Sequence, residues 1–285
     1  MIRRIKSGWQ LTKKSWSVLS GDPGLMRFPI VAGLASLLLG VLLIVPGLYY
    51  IDSGPEALGI VLIAVGTYLI AFLNYYFAVG LAASADQRMR HGESSFRLGM
   101  SVASSRMGAI AGWAFVATVV MTIVRAIQER FGIAGAIFGS LAAAAWGLVT
   151  FLAVPVIALE GTGPIGTIRR CGSLLKSRWG EQITGTIAIG GAVFLLGVLP
   201  GVLLIVAGIA LWATTGVGGA VLIAIGAAVL IVAALVQQAL ATIFGVALYR
   251  YAADGEAIAT FTSEEMEGAV RSKGGSPMGP APTTV

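Results

Sequence analysis

The stretch QITGTIAIGGAVFLLGVLPGVLLIVAGIALWATTGVGGAVLIAIGAAVLIVAALVQQALATIFGVALY, residues 182–249, runs for 68 positions without one charged side chain. About a quarter of the residues in a soluble domain are charged, so such a run belongs in lipid. About 20 apolar residues cross the hydrocarbon core as a helix, which leaves room here for two generous spans or three tight ones. The small-residue stretch TTGVGG at 214–219 divides the run, and two spans are expected, about 183–212 and 219–249.

The rest of the chain reads the same way. Of its 285 residues, 57% are hydrophobic and 11% charged, and the mean hydropathy is +0.89. Four further apolar segments stand at about 28–51, 57–83, 108–127 and 133–159, paired into hairpins by the turns DSGPE and QERFG. Backbone polar groups must be satisfied inside the bilayer, which favours helices, and the alternation of a membrane β-barrel is absent. The expected fold is therefore all-α: an integral membrane bundle of six transmembrane helices over residues 1–255, with amphipathic cytoplasmic surface helices. A cytoplasmic tail follows at 256–285, and its Gly-, Pro- and Ser-rich end reads as disordered from about 274.

Charge sets the orientation. Seventeen Lys and Arg fall in the N-terminal segment, the second-to-third loop, the fourth-to-fifth loop and the tail, and only Arg125 and Arg130 lie on the other side. The positive-inside rule then places both termini in the cytoplasm, in a multi-pass protein of the plasma (cytoplasmic) membrane. The count also favours six spans over seven, since a third span after Glu181 would export Arg250 and the tail. The first apolar run begins too late and is too long for a cleavable signal peptide. The pI near 9.7 follows from this topology and suits the anionic lipid of the cytoplasmic leaflet as a partner. No basic-patch or fold signature of nucleic-acid binding is present.

Each cytoplasmic segment carries an apolar stripe at helical spacing: Ile2, Ile5, Trp9, Trp16 and Leu19; Phe96, Met100, Ala103 and Met107; and Ile165, Ile168, Gly172, Leu175 and Trp179. Basic residues occupy the remaining positions, the pattern of a helix lying among headgroups. With SSRMG (104–108) matching KSRWG (176–180), and VPG (45–47) matching LPG (199–201), the chain reads as a surface helix followed by a hairpin, three times over.

Chemistry is sparse. No span has an ionisable residue near its middle, the usual mark of an ion path. Asn74, Gln237 and Gln238 are the polar residues at depth, and either hydrogen-bond between helices or line a cavity. Pro46, Pro155 and Pro200 permit kinks or breaks. One histidine, His91, allows no histidine metal cluster or Ser-His-Asp triad. Cys171 has two arginine neighbours but no visible base. No cofactor motif occurs, and no enzymatic activity is expected. Glu160 is the sharpest polar feature: Arg169 and Arg170 follow closely enough to fold back on it, as an ion pair fixing the surface helix or as part of a headgroup pocket. The candidate contact to lipid, or to another membrane protein, is Glu160, Arg169, Arg170, Lys176, Arg178 and Trp179. The candidate cavity of a small permease is Asn74, Gln237 and Gln238.

Pro155, Glu160, Pro164, Arg169, Arg170, Leu174, Leu175, Trp179 and Gly180 form the pattern P-x-x-x-x-E-x-x-x-P, a basic helix, then L-L-x-x-x-W-G. The pattern resembles a domain-of-unknown-function family of uncharacterised prokaryotic polytopic integral membrane proteins. FGVALYRYAADG at 244–255 is similar to the end of the same domain. A more distant likeness is to the membrane domain of glycerophosphodiester phosphodiesterases, whose catalytic domain has no counterpart here. The resemblance implies a fold and a compartment, with no reaction, and Cys171 stands where it leads one to expect a serine.

Overall fold

The computed structural model describes residues 13–178 and 193–254, and all the regular structure among them is helical. After a helical segment at 13–20 come α1 (Pro23–Ser53), α2 (Glu56–His91), α3 (Phe96–Ser105), α4 (Met107–Arg130), α5 (Gly132–Phe151), α6 (Ala153–Glu160), α7 (Pro164–Arg178), α8 (Leu199–Thr215, entered through a π turn at Phe194–Val198) and α9 (Val217–Asp254). Five helices among the described residues are long and apolar enough to cross a membrane: α1, α2, α4, α8 with its π turn, and α9.

The sequence led us to expect six. The difference lies in the stretch expected as one span over 133–159, which the structure divides into α5 and α6. Pro155 has no N–H to offer the Phe151 carbonyl, and its ring collides with that carbonyl. The helix accordingly stops at Phe151 and restarts at Ala153, leaving Gly135–Gly147 as a shorter apolar helix. α1, α2, α4 and α9 reach further than the apolar runs suggested. α2 has 36 residues and α9 has 38, about 54 and 57 Å at 1.5 Å per residue, so both outreach a hydrocarbon core of about 30 Å.

Three antiparallel pairs organise the chain: α1 with α2, α4 with α5, and α8 with α9. The first and third share a device. Val45 donates its N–H to the Gly40 carbonyl, and Leu199 donates to Phe194, each five residues back, in a single π turn immediately before Pro46-Gly47 or Pro200-Gly201. The turn absorbs the lost proline hydrogen bond by widening the helix. Neither proline therefore breaks its helix, and the VPG and LPG match reflects the same local structure. Past each proline the partner helices touch backbone to backbone. A Cβ on Gly59 would lie 2.7 Å from the Gly47 carbonyl oxygen, and one on Gly226 would lie 2.7 Å from that of Gly201. Only glycine permits this approach, by which helices associate in lipid through close packing. In the middle pair, the Trp113 and Trp146 rings stack at 5.8 Å instead.

The hairpins converge at one end. Residues 76–86 of α2 are all buried, as are Ala239, Leu240 and Ile243–Tyr249 of α9, and Ala153, Val156 and Ile157 of α6 pack into the same cluster. α3 joins it through Gly99 and Ala103, with the Phe96 ring tilted against that of Phe28 of α1, centroids 4.6 Å apart. Towards the other end the large apolar side chains face outward, Leu37, Leu203 and Phe138 among them. The enclosed core thus sits at the end bearing Arg88, Arg97, Arg106, Arg170 and Arg250, while Arg125 and Arg130 fall at the opposite turn.

Two sequence-predicted stripes are turned. α7 buries Thr167, Cys171 and Leu174, with Ile165 68% exposed, so the helix is rotated about one residue from the stripe expected through Ile165 and Gly172. Trp16 faces outward beside buried Ser15, Val18 and Leu19. The stripe at Phe96, Met100 and Ala103 does face the core, although Met107 does not.

Candidate functional site

Glu160 is the last residue of α6, and the chain must reverse at once to start α7. Gly161 makes the reversal in the left-handed region, at φ 69°, where a side chain is strained; a Cβ there would also strike the Arg106 guanidinium. α7 opens on Pro164, whose missing N–H costs nothing in a first turn. The Thr167 hydroxyl, bonded to the Gly163 carbonyl at 3.0 Å, ties down that turn. Ten residues beyond Glu160, Arg170 returns to it, donating its Nε–H to Glu160 Oε1 at 2.6 Å.

That carboxylate oxygen has a second donor. Tyr249, on α9, gives its hydroxyl proton to Glu160 Oε1, also at 2.6 Å. The consecutive helices α6 and α7 and the distant α9 therefore meet on one oxygen. Hydrogen bonding to Glu160 pushes the Arg170 guanidinium further up from its ordinary value. Cys171 lies fully buried in the α7 interface, where burial first, and the Glu160 charge second, push its thiol up to about 12. A thiol so protonated is no nucleophile at neutral pH. Arg169 points outward and takes no part in the cluster. Lys176 and Arg178 continue α7 to its end, and Trp179 lies outside the described residues.

A second junction, unanticipated from the sequence, stands beside the first. Arg250 follows Tyr249 and grips Asp86 of α2 with two bonds, Nε to Oδ1 and Nη2 to Oδ2, both 2.8 Å. Its Nη1 also reaches Asp254 at 3.0 Å. Asp86 lies thirty residues beyond Glu56, the start of α2, about 45 Å along the helix axis, which exceeds the roughly 30 Å of a hydrocarbon core. Asp86 ends the apolar and small-residue run GLAASA just before the polar last turn of α2, and Arg250 closes the 68-residue uncharged run. Those interruptions were the available signal; Arg250 entered the sequence reading only as a topology marker and Asp86 not at all, so a pair 164 positions apart went unseen.

Midway along the bundle, Asn74 donates from Nδ2 to the Ser36 hydroxyl of α1 at 2.9 Å and to the Ile70 carbonyl at 2.8 Å. It also borders a cavity of about 220 Å³ together with Thr150, Pro155, Gln238 and Thr242. The α5–α6 break opens this space, since Phe151 and Val154 line it too. Asn74 and Gln238 thus border one space. Gln237 does not: it is one helical position round α9 and faces outward. His91 is exposed at the end of α2.

No curated protein matches the chain, and no solved structure does, so the likeness to the phosphodiesterase membrane domain gains no support. A family model does match, described as a family of unknown function, over residues 56–259. Those residues take in α2 to α9 with the Glu160 and Asp86 clusters, and contain both motifs, at 155–180 and 244–255. The chain belongs to this family, DUF6159.

Proposed function

We propose that the protein is a non-enzymatic membrane module that organises anionic lipid, or a membrane partner, at the cytoplasmic face of the plasma membrane. In this reading both termini are cytoplasmic and α5 with α6 completes a sixth, broken crossing. The observation that carries it is the way α7 is held. Glu160 occupies Arg170, the buried face of α7 closes on the core, and Ile165, Arg169, Gly172 and Ser173 are left facing outward. A fixed helix presenting an apolar and basic outer face suits the headgroup layer, where each basic residue contributes about 1 kcal/mol towards an anionic surface.

The test is to neutralise Arg169, Lys176 and Arg178 while keeping Arg170, then measure co-purified anionic lipid and recovered membrane partners. Loss of either with unchanged helicity is the expected result. Both unchanged would end this reading.

One observation favours a second reading, that of a small permease: Asn74 and Gln238 border one cavity beside a broken helix. Solute flux into proteoliposomes that survives both Asn74→Leu and Gln238→Leu would remove the cavity from consideration.

A further inference from the structure

Asn74 and Gln238 stand twelve residues before Asp86 and Arg250 respectively, so the ion pair between those two sets them at one level, about 18 Å away along α2 and α9. Towards the basic end the cavity they border is closed. Ala82 and Gly245, next along the same helix faces, are buried in the core, and a Cβ on Gly245 would lie 3.4 Å from the Phe151 carbonyl oxygen. The polar groups left in this space decide what it can hold. Both amide hydrogens of Asn74 are used, on Ser36 and Ile70, which leaves Oδ1 as an acceptor. The Thr150 and Thr242 hydroxyls donate to carbonyls of their own helices, Gly147 at 3.3 Å and Gln238 at 2.9 Å, so each offers lone pairs and no proton. The Gln238 side chain has no partner among the described residues and brings one oxygen and one amino group. Tyr75, the remaining polar side chain in the lining, can serve either way. Acceptor oxygens therefore outnumber donors, and no charged side chain stands in the described lining.

We propose that this cavity binds a small uncharged solute rich in N–H donors, of the primary amide and urea class. Its N–H groups meet the oxygens of Asn74, Thr150 and Thr242, and its carbonyl accepts from the Gln238 amino group. An amide left unpaired among apolar side chains is costly, and such a solute satisfies it. Charge points the same way. A cation would suit the oxygens but would give up its hydration with no anionic side chain to offset the loss, and a carboxylate would meet acceptors with its own. Size agrees as well: about 220 Å³ is room for about seven waters at about 30 Å³ each, below the roughly 300 Å³ at which drug-sized sites begin. The inference rests on the second reading above, that this cavity takes a solute, and names the class of that solute; passage across the membrane is measured apart from it.

Acetamide and acetate, alike in size but differing by an amino group in place of a charged oxygen, are the probes. Saturation-transfer NMR of the full chain in micelles reads the contact of each methyl group with the protein. The wild type should bind acetamide about fivefold more tightly than acetate or glycerol, the factor that one hydrogen bond is worth, and urea should displace it. Gln238→Met keeps the length of the side chain without its polar groups and should weaken acetamide about fivefold; Gln237→Met, facing outward on the same helix, should change nothing. Ala241→Phe fills the cavity and should abolish the contact, and Ala241→Val, a smaller filler, should weaken it if the larger variant folds poorly. No acetamide contact in the wild type, equal binding of acetate or glycerol, displacement of acetamide by sodium, or contact that survives Gln238→Met and cavity filling would each overturn the inference. Flux of labelled urea, glycerol and sodium into proteoliposomes tests the permease reading separately. Amide binding without flux upholds the site and ends that reading, whereas flux of glycerol or sodium without amide binding upholds that reading and ends the inference.

Discussion

Replacing Arg250 with alanine should be among the most damaging single changes to this protein. Both members of its pair are largely enclosed, the Asp86 side chain 12% and the Arg250 side chain 17% exposed, and their two bonds tie the ends of α2 and α9. Removing one partner of a buried pair costs about 3–5 kcal/mol, because the other charge is left enclosed. The two halves should not suffer equally. Without Asp86, Arg250 still has Asp254, a carboxylate 44% exposed, which offsets up to about 1 kcal/mol after screening. Without Arg250, Asp86 loses the partner that both of its oxygens contact. Arg250→Ala is therefore expected to cost about 3–5 kcal/mol and Asp86→Ala about 2–4, with a coupling energy of about 1–3 kcal/mol in the double variant. The assay is reversible unfolding in mixed micelles followed by loss of helical ellipticity. Single variants that each cost under about 0.5 kcal/mol, combining additively, would show that the pair does not hold the helix ends.

Three further outcomes follow from the packing. Tyr249→Phe should cost about 1.5–3 kcal/mol, as a hydrogen bond to a charged acceptor is lost where Tyr249 is only 5% exposed. Arg170→Gln should cost at most about 1 kcal/mol, its side chain being 41% exposed; the reverse order, in the same unfolding assay, would contradict the geometry. Cys171 should alkylate far more slowly in the folded protein than in denaturant at pH 9, because its thiol is raised from 9.0 to about 12. By linkage, the contribution of that thiol to stability is intact below pH 9 and declines as pH rises towards 12, since the unfolded thiol releases its proton first. Equal alkylation rates in the two states would refute the burial. Gly59→Ala should destabilise by about 1–3 kcal/mol through overpacking against a backbone that cannot step aside. Gly40→Ala, with nothing within 4 Å of the added carbon, should be neutral, and a thermal-stability comparison of the two variants checks the contrast.

What the sequence determined by itself is what depends on local composition. Twenty apolar residues in a row require lipid whatever their neighbours, so α1, α2, α4, α8 and α9 were legible, as were the turns at Gly54-Pro55, Phe131 and Gly216. That Glu160 would pair with Arg169 or Arg170 was legible too, because they lie nine and ten residues away on the other side of a turn; that Arg170 is the partner was not. Tertiary structure decided the rest. The direction in which α7 rolls depends on which neighbour offers a better fit, and its wheel alone could not choose Thr167 and Cys171 over Ile165. Whether a proline kinks or ends a helix depends on the room around it: Pro46 and Pro200 are absorbed by π turns, while Pro155 divides α5 from α6 beside a cavity. Tyr249 and Arg250 carried no local sign of their partners, because the residues they hold, Glu160 and Asp86, reach them only when three hairpins converge at one end. An ion pair between distant elements follows from the shape of the assembled bundle, and short-range periodicity contains no information about it.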